Sequence, residues 1–192
     1  MMKPYRFRLG LALAGIAVAI TVMFTSCSST IPRRDPMGQI FPSVEGESLE
    51  GESVRLPTDM LGKPALLLIG YRQNTQFDLD RWILGLMQVQ TPIRIFEVPT
   101  IPGLVPGMIA GTIDNGMRSG IPMEDWAIVV TLYGKNARGV AEWTGTEDGL
   151  NGRIVLLDAE GRAVWFHDRG YSATHLLDLD RVIRELEPPA KN

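Results

Sequence analysis

The chain is poor in the side chains that most often carry chemistry: it has one cysteine and two histidines in 192 residues. A single thiol rules out an internal disulfide and a paired-thiol redox centre. Two histidines among dispersed carboxylates supply no clustered metal ligands. An excess of positive charge is missing as well. Lys and Arg number 19 against 22 Asp and Glu, which argues against a nucleic-acid groove and against a polybasic patch for anionic lipid. The uncharged run Leu9–Phe24 spans sixteen residues, short of the roughly 20 that a membrane-spanning helix needs. No internal repeat is visible.

What is present at the N-terminus is an order of features. Lys3, Arg6 and Arg8 precede the apolar run, and Phe24-Thr25-Ser26-Cys27 closes it. A positive head, a short apolar core and small residues before a cleavage point read as an export signal. The stretch resembles the lipobox of bacterial lipoproteins, in which the cysteine is acylated and the signal removed ahead of it. Thr25 and Ser26 fit that pattern, and Phe24 stands where leucine is usual. The resemblance implies a signal peptide over 1–26, palmitate and related acyl chains on Cys27, and attachment to a membrane through that lipid. Serine rather than aspartate at position 28 implies sorting to the outer membrane, facing the periplasm of a bacterial cell envelope. An uncleaved anchor and a soluble secreted product are the alternatives. Residues 27–39, polar and punctuated by Pro32 and Pro36, read as a lipidated N-terminus and flexible tether. Removing 1–26 leaves 166 residues, with 16 basic against 22 acidic side chains, enough for one domain with a proper core.

That domain is expected over 40–188, with 189–192 a tail. Phe41–Val44 and Ser48–Pro57 read as an edge strand and a hairpin-like approach. Ala65–Tyr71 is a continuous apolar run, suited to a central strand covered on both faces. Leu79, Trp82, Ile83, Leu86 and Val89 recur at helical spacing and predict a helix over about 77–89. Further strands are expected over 93–98 and 126–133, with a glycine-interrupted helix around Met108–Met117 between them. Gly134–Gly152 is ambiguous, with a short helix possible around Val140–Trp143. Arg153–Asp158 and Ala163–His167 form a hairpin across a Gly-containing turn, and a last helix covers Thr174–Leu186.

This order, with Phe41-Pro42, Gly51–Leu56, Gly62-Lys63-Pro64 leading into Ala65–Leu68, and Ile154–Val164, resembles the peroxiredoxin and TlpA-like branch of the thioredoxin-like superfamily. The likeness spans about residues 41–187. It implies an α/β fold, a three-layer α/β/α sandwich with a central mixed sheet. The families' redox work is done by a Cys-x-x-Cys or Thr-x-x-Cys at the start of the first helix. Tyr71–Phe77 holds that place here without a thiol. Asn151-Gly152-Arg153 stands where a cis-proline is usual. Leu156, Leu157, Asp158, Gly161 and Trp165 are distantly similar to the closing hairpin of a mitochondrial family with this fold that assists ATP-synthase assembly.

The candidate binding surface is Tyr71, Arg72, Gln73, Gln76, Arg118 and His167, with no catalytic or metal residue assigned and no cofactor expected. The loop Tyr71–Gln76 lies where open α/β sheets bind ligands, although Asn74 or Thr75 acting as a plain helix cap is an equally simple account. Asp114 and Arg118 stand four apart and could pair across a helical turn. His167-Asp168 could orient an imidazole, yet no nucleophile is marked beside it. The leading expectation is a lipid-anchored, redox-inactive envelope protein that binds or helps assemble another protein, reached as a folded partner or an extended peptide. The alternative is a cysteine-independent enzyme or small-ligand binder using the crevice around Arg72, Gln76 and Arg118.

Overall fold

Ala65–Gly70 carries no polar side chain, so as a strand it has to be covered on both faces. The structure, a computed structural model, describes residues 30–103 and 107–186 and places this segment (β3) inside a seven-stranded mixed sheet. The strands are β1 (Val44–Ser48), β2 (Ser53–Leu56), β3, β4 (Arg94–Ile101), β5 (Val130–Tyr133), β6 (Arg153–Leu157) and β7 (Ala163–His167), in the order β2-β1-β5-β4-β3-β6-β7. β3 runs parallel to β4, which runs parallel to β5. The outer pairs, β1 with β2 and β6 with β7, are antiparallel hairpins.

Side-chain alternation sorts the core into two layers. Leu66, Leu68, Ile154, Leu156 and Trp165 face α1 (Gln76–Gln88) and α4 (Ala173–Leu186), which contribute Leu79, Trp82, Leu86, Leu176, Leu179 and Ile183. Leu67, Ile69, Val98, Leu132, Val155 and Leu157 face the other way, onto Phe41 and onto Ala137 and Val140 of α3 (Gly134–Thr144). The segment that was ambiguous in the sequence is thus a helix. Its periodic Ala137, Val140 and Ala141 are all buried, a pattern masked in sequence by the small size of alanine. α2 (Gly107–Gly120) is continuous despite its internal glycines, and none of its described side chains is buried. The strand expected from Trp126 begins at Val130, because Met123–Ile128 winds into a 3-10 helix after Pro122. No helix among the described residues is long and apolar enough to cross a membrane. The export signal, Cys27 and the C-terminal tail lie outside the described residues.

The tether expected over 27–39 is docked from Ile31 onward. Ile31 donates its N–H to the Thr146 hydroxyl, and its carbonyl accepts from the N–H groups of Thr146 and Glu147. The Arg34 N–H donates to Thr144 O, and Arg33 Nε donates to both carboxylate oxygens of Asp168 at 2.9 and 2.7 Å. Farther on, Gly38 N–H reaches Ala163 O, Gln39 O accepts from Ala163 N–H, and Phe41 N–H reaches Gly161 O. Residues 31–41 therefore form a strap that runs from the end of β7 to its start. Composition suggested freedom; what overrides it is pairing of the backbone groups along the strap, burial of Pro36, and prolines that lower the entropy lost on docking.

Gly145 makes that docking possible. Its φ is +75°, and a Cβ there would run into the Pro32 carbonyl. Gly145→Ala is expected to expel the strap and cost about 1–3 kcal/mol, read as a lower midpoint in denaturant with faster hydrogen exchange at Thr146 and Glu147.

Candidate functional site

Gly70 ends β3 and Gln76 begins α1, so Tyr71–Thr75 roof the crevice at the carboxyl end of a parallel strand. Three sets of contacts fill it. The Thr75 hydroxyl donates to Gly149 O at 2.7 Å, tying the start of α1 to the loop before β6. Asp78, buried in the first turn of α1, accepts from Gly152 N–H at 2.9 Å and from Tyr171 N–H at 2.7 Å. The Tyr71 hydroxyl shares a 2.7 Å hydrogen bond with Thr144 at the end of α3. Gly152 is glycine because the loop crosses α1 so closely that a Cβ would run into Leu79.

Arg153 occupies the centre. Its side chain is buried at the head of β6, with the guanidinium 5.3 Å from the centroid of the Tyr71 ring. It donates to the carbonyls of Asp148 (3.2 Å), Asn151 (2.8 Å) and Glu147, and its Nε has no partner. Burial lowers the guanidinium pKa, while Tyr71, Asp168 and Asp148 act to raise it and Arg33 opposes them. Burial likewise pushes the Tyr71 hydroxyl up to about 12, against the Thr144 bond and the Arg153 charge. A buried cation is costly unless its donors are satisfied. Here loop carbonyls and an aromatic face do much of that work. The crevice is consequently a packed joint.

The residues singled out in the sequence are distributed across the width of the sheet. Arg72, Gln73 and Gln76 are exposed on the crest. Tyr71 faces inward onto Arg153. Gln76 Nε2 donates to Asp80 and to Glu97 of β4. Burial raises the Glu97 pKa, with the Gln76 bond opposing and Asp80 and Asp125 adding to it. Arg118 does not join them. Its Nε donates to Leu49 O at 2.7 Å, beyond β1, and its guanidinium lies 5.9 Å from the Trp126 ring centroid. The Asp114–Arg118 pairing expected across a helical turn is replaced. Asp114 accepts from the Tyr133 hydroxyl at 2.8 Å, and Arg118 takes Asn115 instead. His167 ends the edge strand β7, where it packs on His175 and Trp82 and bonds Gly170 O through Nε2. Asp168 is turned to Arg33. The Thr75 hydroxyl donates to Gly149 O and accepts from Arg72 N–H at 3.2 Å, so it caps the 3-10 turn Gln73–Thr75 that leads into α1, while no side-chain cap bond forms at the first turn of α1 itself. A separate recess of about 340 Å³ between β1, β5 and α2 is lined by Glu45, Glu47, Asp114, Tyr133 and Asn136 among others, away from the crest.

No family model matches the chain, and no curated relative matches it. Solved structures do. A Bacteroides thetaiotaomicron protein described as a candidate protein disulfide isomerase superposes with a TM-score of 0.55 at 13% identity, over 82% of this chain and 93% of that one. Thiol peroxidase from Chromobacterium violaceum gives 0.53 at 13%, over 82% and 91%. Yeast Sco1 with copper bound gives 0.52 at 15%, over 82% and 98%. The fold is thioredoxin-like. A thioredoxin-like domain without a thiol is redox-inactive: the chain's one cysteine has no disulfide-forming partner, and neither Arg nor Gln replaces a thiolate nucleophile.

Arg153 and Asp78 are the residues that sequence reasoning missed. The available signal was a lone charge at the head of the otherwise apolar run Arg153–Leu157, and an aspartate one residue before the buried Leu79. Arg153→Met keeps the stem and removes the donors. It is expected to lower stability by about 1–3 kcal/mol, because lost carbonyl and aromatic contacts outweigh relief of the buried charge, and Arg153→Lys is expected to restore part of it. Chemical denaturation checks both. His167 adds a pH dependence. Its pKa is held below the ordinary 6.5, chiefly by burial, so the unfolded chain takes up protons more readily. The stability tied to the neutral ring is complete above about pH 6.5. It falls as the pH drops below that value toward the lower folded pKa. His167→Phe is expected to flatten this slope in denaturation measured between pH 5 and 8.

Proposed function

We propose that this is a lipid-anchored, redox-inactive thioredoxin-like protein of the bacterial envelope that binds, or helps assemble, another protein. One observation carries the binding role. The joint beneath Tyr71 is filled, while the outer side of α1 is open. Phe77, Leu84 and Met87 are 70, 63 and 67% exposed, and their spacing of seven and three puts them on one stripe. That stripe begins at the crest formed by Arg72, Gln73 and Gln76. A row of exposed large apolar side chains leading from a polar crest fits a protein or extended peptide better than a small substrate. The fold can serve as a contact module once its thiols are gone. Anchoring rests on the signal ahead of Cys27. Arg118 and His167, committed elsewhere, are left out of this surface.

The test uses photo-crosslinkers placed singly at Gln73 and Leu84 of the full chain in its native envelope. Both positions are expected to give one shared protein adduct. Phe77→Asp, at an exposed position, is expected to reduce its yield at least tenfold without lowering stability. Absence of any adduct from either position overturns the binding role.

A further inference from the structure

The strap gives the domain a direction. We propose that residues 31–34 hold the domain with its crevice end toward the bilayer, so that the edge carrying Arg34, Leu150 and Arg169 rests on the phospholipid headgroup layer. This inference rests on acylation of Cys27 in the reading above. Four chain steps separate Cys27 from Ile31, and n residues of extended chain reach at most about 3.3–3.6 Å each, here roughly 14 Å. A domain of this size is about 38 Å across by the usual scaling of radius of gyration with length. The anchor is therefore too short to let the far end of the sheet face the membrane. Ile31 is fixed against Thr146 and Glu147, and Arg33 against Asp168 just beyond β7. The carboxyl ends of β3 and β7 and the start of β6 lie at that same end.

The edge suits the position. Leu150 is 54% exposed at the tip of the loop before β6, beside Gly149, whose neighbour is the Arg72 side chain. Arg34 and Arg169 are exposed, and long arginine stems can lie along an interface with the charge in the headgroups. Glu147 and Asp148, also exposed, offset those charges. The acyl chains therefore supply the affinity and the edge supplies only the orientation. Leu61, 49% exposed, marks the opposite end, since the neighbouring Gly62 N–H bonds Ala159 O in the β6–β7 turn.

The experiment uses the full lipidated chain in phosphatidylethanolamine–phosphatidylglycerol vesicles. A fluorophore is attached through Leu150→Cys or Leu61→Cys, and quenching by headgroup nitroxide lipid is compared. The label at 150 is expected to be quenched at least threefold more than the label at 61. Arg33→Ala, which frees the strap from Asp168, is expected to shrink that ratio toward one. Equal or reversed quenching on a chain whose Cys27 is acylated by mass spectrometry overturns the orientation alone. An unacylated Cys27 overturns both this inference and the anchoring it rests on. Quenching at 150 that is lost when envelope proteins are present assigns the edge to a protein and also overturns the inference.

Discussion

The burial of one guanidinium organises the crevice end of this molecule. Arg153 gives up solvation at the head of β6 and recovers it from the carbonyls of the Glu147–Asn151 loop and the face of Tyr71. That exchange sets the conformation of the loop that leads into β6. Asp78 completes it from the other face of the sheet, by binding the same loop at Gly152 and the bend before α4 at Tyr171. With Asp78 and most of the Arg153 donors committed to backbone groups, the space beneath Tyr71 is closed. The exposed apolar surface lies outward, along the stripe of Phe77, Leu84 and Met87 on α1.

The same region receives the N-terminal strap. Arg33 neutralises Asp168, whose side chain is 3% exposed, and Asp168 in turn acts on Arg153. A partly buried ion pair of this kind is strongly penalised when one partner is removed, so the strap is part of the domain's electrostatics as well as its outline. The segment that leads toward Cys27 and the loop that fills the crevice are consequently one mechanical unit.

Much of the fold was legible because periodicity reports burial directly. Ala65–Tyr71 announced a central strand, Leu79 to Leu86 announced α1, and the Ala159–Arg162 turn announced the β6–β7 hairpin. The register of neighbouring strands then follows from the need to cover β3 on both faces. Where reading failed, the pattern was local and the cause was distant. α3 was obscured by its alanines, and Trp126–Ile128, the apolar start of an expected strand, belongs to the 3-10 helix Met123–Ile128. Residues 31–39 had the composition of a linker yet found hydrogen-bond partners more than a hundred positions away.

The candidate site divides the same way. Sequence alone determined that this domain does no thiol chemistry, since that depends only on a cysteine being present, and it determined the helix–sheet layering, since apolar spacing is a property of the chain. Tertiary structure decided which polar residues share a neighbourhood. Arg118 was a candidate by its expected nearness to the crevice and His167 by its chemistry beside Asp168, but hydrogen bonding took Arg118 to Leu49 and His167 to Gly170. Arg153, given no role of its own in the sequence, became the buried centre. Whether a charge is solvated by water or by backbone carbonyls depends on contacts between segments far apart in the chain, and no local pattern encodes that.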